Sequence, residues 1–157
     1  MKTLILSLSI FVLLVTSVSA GEKKPIQPTS KDKCAVCGMF VAKFPDFVSQ
    51  IIYKDSTYAA FDGPKDMFKY YLGLKKYNPS KKASDIDSVY VTDYYALTPV
   101  DGLKAYYVIG SDIDGPMGKE LVPFEKESDA QAFMKDHHGK SVIKFGEVTA
   151  ATLKGID

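Results

Sequence analysis

The sequence contains no arginine and no tryptophan, so all 20 of its basic residues are lysines, set against 19 acidic residues. Proteins that read a nucleic-acid sequence depend on arginine and on a basic face, so this composition argues against that class. Bidentate binding of phosphate or carboxylate substrates also loses its best donor. Only two cysteines and two histidines are present. A structural zinc site usually needs a second Cys or His pair, and the sequence has no such pair at suitable spacing.

The first 20 residues predict a secretory signal peptide. A short basic start, Met1-Lys2, precedes an apolar run over residues 3–15 and a stretch of small residues that ends at Ala20. This order predicts cleavage after about Ala20 and export to the periplasm, with a retained N-terminal anchor as the alternative. No cysteine lies directly after the small residues that follow the apolar run, so the attachment site expected of a bacterial lipoprotein is missing there. We expect a soluble, exported protein.

The next segment, residues 21–33, is polar, contains two prolines and lacks periodicity, which predicts a flexible leader. It is followed by Cys34-Ala35-Val36-Cys37-Gly38-Met39, which holds both cysteines and a methionine. Thiolate and thioether sulfur suit Cu(I) far better than they suit Mg²⁺ or Ca²⁺. Gly38 permits a tight turn that would bring the Met39 sulfur towards the cysteines. The motif predicts a soft-metal site, although Met39 could also simply fill the core.

Cys34 and Cys37 could also serve roles that need no metal. A disulfide between them would close so short a loop that it would restrain the unfolded chain little. A thiol–disulfide oxidoreductase is the main alternative, but its Cys-x-x-Cys motif usually follows a strand and begins a helix, whereas this motif precedes every predicted element. The third possibility is a plain binding domain with an incidental disulfide.

The rest of the chain predicts an α+β fold of two similar β-β-α-β units packed together. The predicted strands cover residues 47–53, 57–61, 88–95, 104–109, 120–124 and 141–145. The first helix is expected to begin with Asp62 as its cap, and its inner stripe comprises Met67, Phe68, Tyr71 and Leu72. Ser128 is expected to cap the second helix. The first half spans residues 34–100 and the second 101–157, with residues 148–157 left as a tail or a short helix.

Met117 is a further candidate ligand, because it lies in the loop Asp114-Gly115-Pro116-Met117-Gly118, outside any apolar stripe. The alternative is a loop methionine that rests on the surface. His137 and His138 are adjacent and do not face one point, so helix-dipole compensation is the simpler role for them. Capping and turn roles are expected for the carboxylates, which are Asp62, Asp66, Asp85, Asp87, Asp112 and Asp114.

Two motifs in this order resemble the NosL family. They are residues 34–39 and residues 117–124 (Met-Gly-Lys-Glu-Leu-Val-Pro-Phe), and the resemblance extends over residues 32–145. The family comprises accessory factors that deliver copper during maturation of nitrous oxide reductase, and its fold is two strand-strand-helix-strand units. By position, the resemblance implies Cu(I) ligation by Cys34 and Met117, with Cys37 and Met39 as further members of the motif. Glu120 takes the acidic place in a Met-Gly-x-Glu motif.

Together these patterns predict an exported, non-enzymatic Cu(I)-binding metallochaperone with Cys34, Cys37, Met39 and Met117 at its metal site. Its expected partner is a copper-receiving metalloenzyme or assembly protein, and the chain is expected to be a monomer. The family is typically lipid-anchored through a cysteine after the signal. The sequence departs from the family there, so a membrane tether is not predicted.

Overall fold

The structure is a computed structural model that describes residues 23–157. The predicted signal peptide, residues 1–20, and the first two residues of the predicted leader lie outside this range. The strands within it are β1 Ser49–Tyr53, β2 Tyr58–Phe61, β3 Ile86–Thr92, β4 Pro99–Asp101, β5 Tyr106–Ile109, β6 Asp114–Gly115, β7 Gly118–Lys119, β8 Val122–Phe124 and β9 Ser141–Lys144. The helices are α1 Pro64–Leu72, α2 Leu74–Tyr77, α3 Glu127–Asp136 and α4 Ala150–Lys154.

Two antiparallel sheets share one arrangement. The larger sheet has the strand order β2-β1-β3-β4 and the smaller has the order β8-β5-β9. In each sheet the earliest strand is central, the next lies on one side and the third on the other, and a helix connects the second to the third. The predicted α+β class is confirmed. Strands β6 and β7 form a separate hairpin within the β5–β8 connection.

The main hydrophobic core joins the two sheets through α1. Phe68 of α1 is 1% exposed, and its ring lies 5.1 Å from that of Tyr107 on β5 and 4.9 Å from that of Phe145 after β9. A smaller cluster lies between the second sheet and α3, where Phe124 and Phe133 pack 5.0 Å apart. Burial of aromatic side chains from both halves against one helix therefore fixes how the two sheets meet.

The helix patterns were only partly correct. Leu72, expected in the inner stripe of α1, is 45% exposed, whereas Tyr70 is buried and its hydroxyl lies 2.9 Å from that of Tyr53. Helix α3 begins at Glu127 with Lys126 at its N-cap, so Ser128 is inside the helix and the predicted cap is wrong. Residues 150–154 form α4, so the last segment contains a short helix, one of the two alternatives predicted for residues 148–157. No helix within residues 23–157 combines the length and apolar character needed to cross a membrane.

The ends of β1 and β3 differ from the predicted ones because local turns compete with strand formation. Pro45–Phe47 forms a 3-10 turn, so β1 starts at Ser49 and not at residue 47. Strand β3 ends at Thr92, because the Asp93 carboxylate accepts hydrogen bonds from the backbone N–H groups of Tyr95 and Ala96 and turns the chain. Such side-chain-to-backbone bonds offer the chain an alternative to a longer strand.

The described part of the leader, residues 23–33, forms no helix or strand longer than an isolated bridge, yet it is held against the first sheet. The Lys23 backbone N–H donates to the Asp87 carboxylate at 3.0 Å. The Ile26 N–H donates to the Gln50 side-chain oxygen at 2.9 Å. Hydrogen bonds to the sheet thus dock this segment, and the flexibility of the leader stays a prediction.

Replacing Phe68 by alanine should lower the free energy of unfolding by about 3–5 kcal/mol, because the ring fills the junction of the two sheets. Leu72→Ala on the same helix is the matched control and should change stability by less than about 1 kcal/mol. Urea unfolding monitored by circular dichroism measures both. Similar losses in the two variants would contradict the assigned core.

Candidate metal centre

The cysteine motif forms a tight turn held on the first sheet. The Gly38 N–H donates to the Cys34 carbonyl at 2.9 Å, and the Cys34 N–H donates to the Met39 carbonyl at 2.7 Å. Gly38 has φ +80°, a left-handed conformation that favours glycine. The Ala35 N–H donates to the Ala60 carbonyl of β2 at 3.1 Å, which fixes the turn beside the start of α1.

Two buried aspartates face the two thiols. Asp62 and Asp66 are 0% and 3% exposed. The Cys34 Sγ donates to Asp66 Oδ2 at 3.2 Å, and the Cys37 Sγ lies 3.4 Å from both carboxylate oxygens of Asp62. One ligand atom from each of these four residues lies within 4.8 Å of the others, an arrangement that could hold a metal ion.

The capping role expected for Asp62 is wrong. Gly63 occupies the N-cap position of α1, and no side chain caps this helix end. Asp62 and Asp66 point instead to the cysteines, so sequence reasoning missed both as site residues. The available signal was their position: Asp62 lies between β2 and α1, directly after the strand beside the cysteine turn, and Asp66 lies in the first turn of α1.

Burial controls the protonation of the thiols. It raises the pKa of Cys37 to about 11, with the hydrogen bonds to Asp66 and Asp62 adding to the rise and the Met39 backbone opposing it. Burial also raises the pKa of Cys34 strongly, and a hydrogen bond to Asp62 adds to it. Both residues are free thiols in the structure. A metal ion that binds thiolates here must therefore displace protons from both groups.

Glu120 ties the second half of the chain to the same helix end. It is 2% exposed, and its Oε1 accepts the backbone N–H of Lys65 at 2.5 Å and that of Leu121 at 2.9 Å. Burial raises the pKa of Glu120 to about 8, against the lowering effect of these two hydrogen bonds. A Cβ at Gly63 would collide with the Glu120 carboxylate. Glycine at position 63 therefore permits the close approach.

Met117 lies in the β6–β7 hairpin, which is fastened to α1. The Lys65 Nζ donates to the Met117 carbonyl oxygen at 2.8 Å, and Lys65 is only 3% exposed although it carries a charge. Gly118 next to Met117 has φ +80° and lets the hairpin turn. The Met117 side chain is 45% exposed. The structure thus brings Cys34 and Cys37 together, and it holds the Met117 backbone beside Lys65, next to Asp66. Ligand roles for Met39 and Met117 stay predictions.

The histidines lie elsewhere. The His137 ring stacks on Phe133 with centroids 4.3 Å apart, and its Nδ1 lies 3.0 Å from the Asp112 carboxylate. His138 has φ +54° just past the end of α3. Neither residue belongs to the Cys/Asp group.

The fold and this group define a small α+β protein with a candidate metal centre built from two thiols and two carboxylates. The NosL family model matches residues 25–153, and the chain belongs to the NosL family. The resemblance noted from the two sequence motifs is thereby confirmed. The model extends on both sides of the range that the motifs indicated.

Three relatives carry NosL names. The copper-binding lipoprotein NosL of Stutzerimonas stutzeri is 30% identical over 149 residues, which cover 85% of this chain and 74% of the relative. The crystal structure of the copper chaperone NosL from Shewanella denitrificans has a TM-score of 0.70 at 27% identity, covering 82% of this chain and 98% of that one. The solution structure of apo-NosL from Achromobacter cycloclastes has a TM-score of 0.47 at 29% identity, covering 67% and 87% of the two chains.

Alkylation of the reduced, metal-free protein should follow the raised thiol pKa values. Reaction of Cys37 with iodoacetamide should rise with pH to a midpoint near 11, because only the thiolate reacts. Asp62→Asn should lower this midpoint, since removing the negative charge makes the thiolate easier to form. Mass spectrometry of the labelled peptides separates Cys37 from Cys34, and Asp46→Asn is the control. A wild-type midpoint near the ordinary value of 9.0 would contradict the buried site.

Glu120 should make stability depend on pH. Its pKa is about 8 in the folded chain against an ordinary 4.5, so the folded state holds the proton more tightly. This contribution to stability is full below pH 4.5 and is lost as the pH rises to about 8. Glu120→Gln should therefore flatten the decline in the free energy of unfolding across this window, as measured by urea denaturation. Glu127→Gln at an exposed site is the control, and an unchanged slope in Glu120→Gln would refute the assignment.

Proposed function

We propose that this chain is an exported Cu(I)-binding metallochaperone. It would deliver copper to a recipient metalloenzyme, as in the maturation of nitrous oxide reductase. The observation that carries the proposal is the convergence of the Cys34 and Cys37 thiols at the start of α1, within 4.8 Å of two carboxylates. The names of the relatives support it, since one is called copper-binding and another a copper chaperone. The cargo is copper, and the chain itself performs no covalent chemistry.

Sulfur ligands would bind the ion. Cys34 and Cys37 would supply thiolates, and Met39 and Met117 would supply thioethers, a set that favours Cu(I). In the metal-free chain the thiols donate hydrogen bonds to Asp66 and Asp62, which keeps both sulfur atoms in place.

Release would proceed by ligand exchange. A thiolate, thioether or imidazole of the recipient would enter the coordination sphere while the sulfur ligands of this chain leave in turn. Cys37 is partly exposed and Met117 is 45% exposed. The copper would therefore stay accessible on the side of the cysteine turn and the hairpin.

We also propose how the chain is exported, assembled and divided into domains. The chain would reach the periplasm after cleavage near Ala20, act as a monomer and comprise a leader and two halves, residues 34–100 and 101–157. Two half-units that share a core would bring the cysteine turn of the first half and the Met117 hairpin of the second to one site.

Thiol–disulfide exchange is the weaker function for the same cysteines. Exchange requires an accessible thiolate, and oxidoreductases obtain it by lowering a cysteine pKa. Burial raises the pKa of both thiols here. The environment thus favours a site in which metal binding, and not the protein alone, deprotonates the cysteines.

Anaerobic titration of the reduced protein, from Gly21 onward, with Cu(I) against a competing chelator tests the proposal. We expect one tightly bound equivalent. Cys34→Ser and Met117→Ala should each weaken binding by more than about 10-fold, since outer-shell partners alone are worth about 10–100-fold. Met134→Leu is the methionine control and should bind copper normally.

Two results would count against parts of the proposal. Absence of competitive Cu(I) binding in the wild type would refute the carrier function. Unchanged affinity in Met39→Ala/Met117→Ala would remove the methionines from the site and leave a cysteine site alone. The same double variant should keep its rate of thiol exchange with a small disulfide, which separates metal binding from redox chemistry.

A further inference from the structure

An apolar groove of about 340 Å³ runs between the C-terminal end of α1, α2 and α4. Leu72, Leu153 and Ala150 contribute to its lining. Leu72 belongs to the stripe that sequence analysis assigned to the core, yet it is 45% exposed. The helical pattern predicts that Leu72 is buried, yet its side chain lies at the surface of a groove. Exposed apolar side chains of this kind are common at binding surfaces.

Lysines surround this groove. Lys69, Lys76 and Lys154 line it, and the one acidic residue of the lining is Asp157. The Lys69 Nζ lies 2.5 Å from the Asp157 carboxylate. Within residues 23–157, neither Lys76 nor Lys154 forms an ion pair with a carboxylate. The Lys76 Nζ lies 4.8 Å from the centre of the Tyr77 ring, which also lines the groove. The groove therefore presents lysines without a carboxylate partner around an apolar floor.

The groove is connected to the Met117 hairpin through Lys65. The Asp157 carboxylate lies 2.5 Å from the Lys69 Nζ and 3.7 Å from the Lys65 Nζ. The same Lys65 Nζ donates to the Met117 carbonyl. A negative group that enters the groove would compete with Asp157 for Lys69 and so change the charges around Lys65.

We propose that this groove binds an acidic segment of the copper-receiving partner, with an apolar side chain of that segment against Leu72 and its carboxylates at Lys76 and Lys154. The inference rests on the proposed function for the identity of the partner. Charge complementarity selects an acidic occupant, and the apolar floor selects one that also carries a hydrophobic anchor. Helix α1 has nine residues, or about 13 Å, so a partner bound here lies within reach of the cysteine turn at the other end of the helix.

Binding can be tested without copper. The reduced, isotope-labelled protein from Gly21 onward is titrated with a short blocked peptide of glutamate and leucine, and amide shifts are followed by NMR. We expect shifts at Leu72, Gly73 and Leu153, together with smaller shifts at Met117 and Gly118 transmitted through Lys65. The same peptide with lysine in place of glutamate should produce none.

Matched variants test the charges and the anchor separately. Lys76→Glu/Lys154→Glu should weaken peptide binding by at least about 10-fold, and Leu72→Gln should weaken it without loss of stability. Lys126→Glu/Lys135→Glu changes the net charge equally at α3 and should bind as the wild type does. Equal weakening by both double variants would show a non-specific charge effect and overturn the groove as the site.

Two further outcomes would overturn the proposal. Shifts confined to other surfaces would refute the groove. Stronger binding to phosphatidylglycerol-containing vesicles than to the acidic peptide, with the same lysines required, would assign the groove to a lipid surface instead. These readouts use the metal-free protein, so failure of the copper titration refutes the proposed function and leaves the peptide result standing by itself.

Discussion

The start of α1 is the point on which the rest of the structure depends, because it concentrates buried polar groups that each need a partner. Burying a carboxylate without hydrogen bonds or a counter-charge costs several kcal/mol in proteins (about 2–7 for even a neutral polar group). Asp62 and Asp66 meet this requirement through the two thiols. Glu120 accepts two backbone N–H groups, and burial raises its pKa to about 8, which lowers the cost by favouring the neutral form. The N-terminal end of the helix dipole favours negative groups at the same place. The cysteine turn, α1 and the second half of the chain are therefore positioned by one set of hydrogen bonds.

Lys65 extends this set to the hairpin and the chain end. Its backbone N–H binds Glu120, while its ammonium group contacts the Met117 carbonyl and approaches Asp157. A buried lysine is costly unless it is paired, and the Met117 carbonyl of the hairpin and Asp157, which follows α4, supply its partners. Adjacent residues of one helix thus serve different purposes, since Asp66 faces the cysteines and Lys65 holds the elements that surround them.

The sequence allowed prediction of the features that local patterns control. Segments rich in β-branched and aromatic residues located most strands, and Gly38 indicated the turn that the cysteine motif adopts. The roles of Asp62 and Asp66 could not be predicted, because an aspartate before a helix explains itself locally as a cap and only tertiary structure shows which group it meets. The burial predicted for Leu72 is wrong for a different reason. Helical periodicity shows which side of a helix is apolar, but α4 leaves part of that side of α1 exposed to solvent. The docking of Lys23 and Ile26 depends on side chains more than 20 positions away, Gln50 among them, which no local pattern reports.

The environment of the cysteines also bears on how the proposed copper carrier would keep two neighbouring thiols usable. Oxidation proceeds through the thiolate, so a raised pKa slows it, and burial raises the pKa of Cys34 and Cys37 alike. Each thiol also donates a hydrogen bond to a buried carboxylate, Cys34 to Asp66 and Cys37 to Asp62. Under the proposed function, copper would reverse this situation, because a bound soft ion would replace both protons at once. The aspartates would then serve the metal-free state, by holding the sulfur atoms protonated and in place, while the sulfur atoms serve the loaded one. Such a division would explain why acidic residues surround a site whose proposed cargo prefers sulfur.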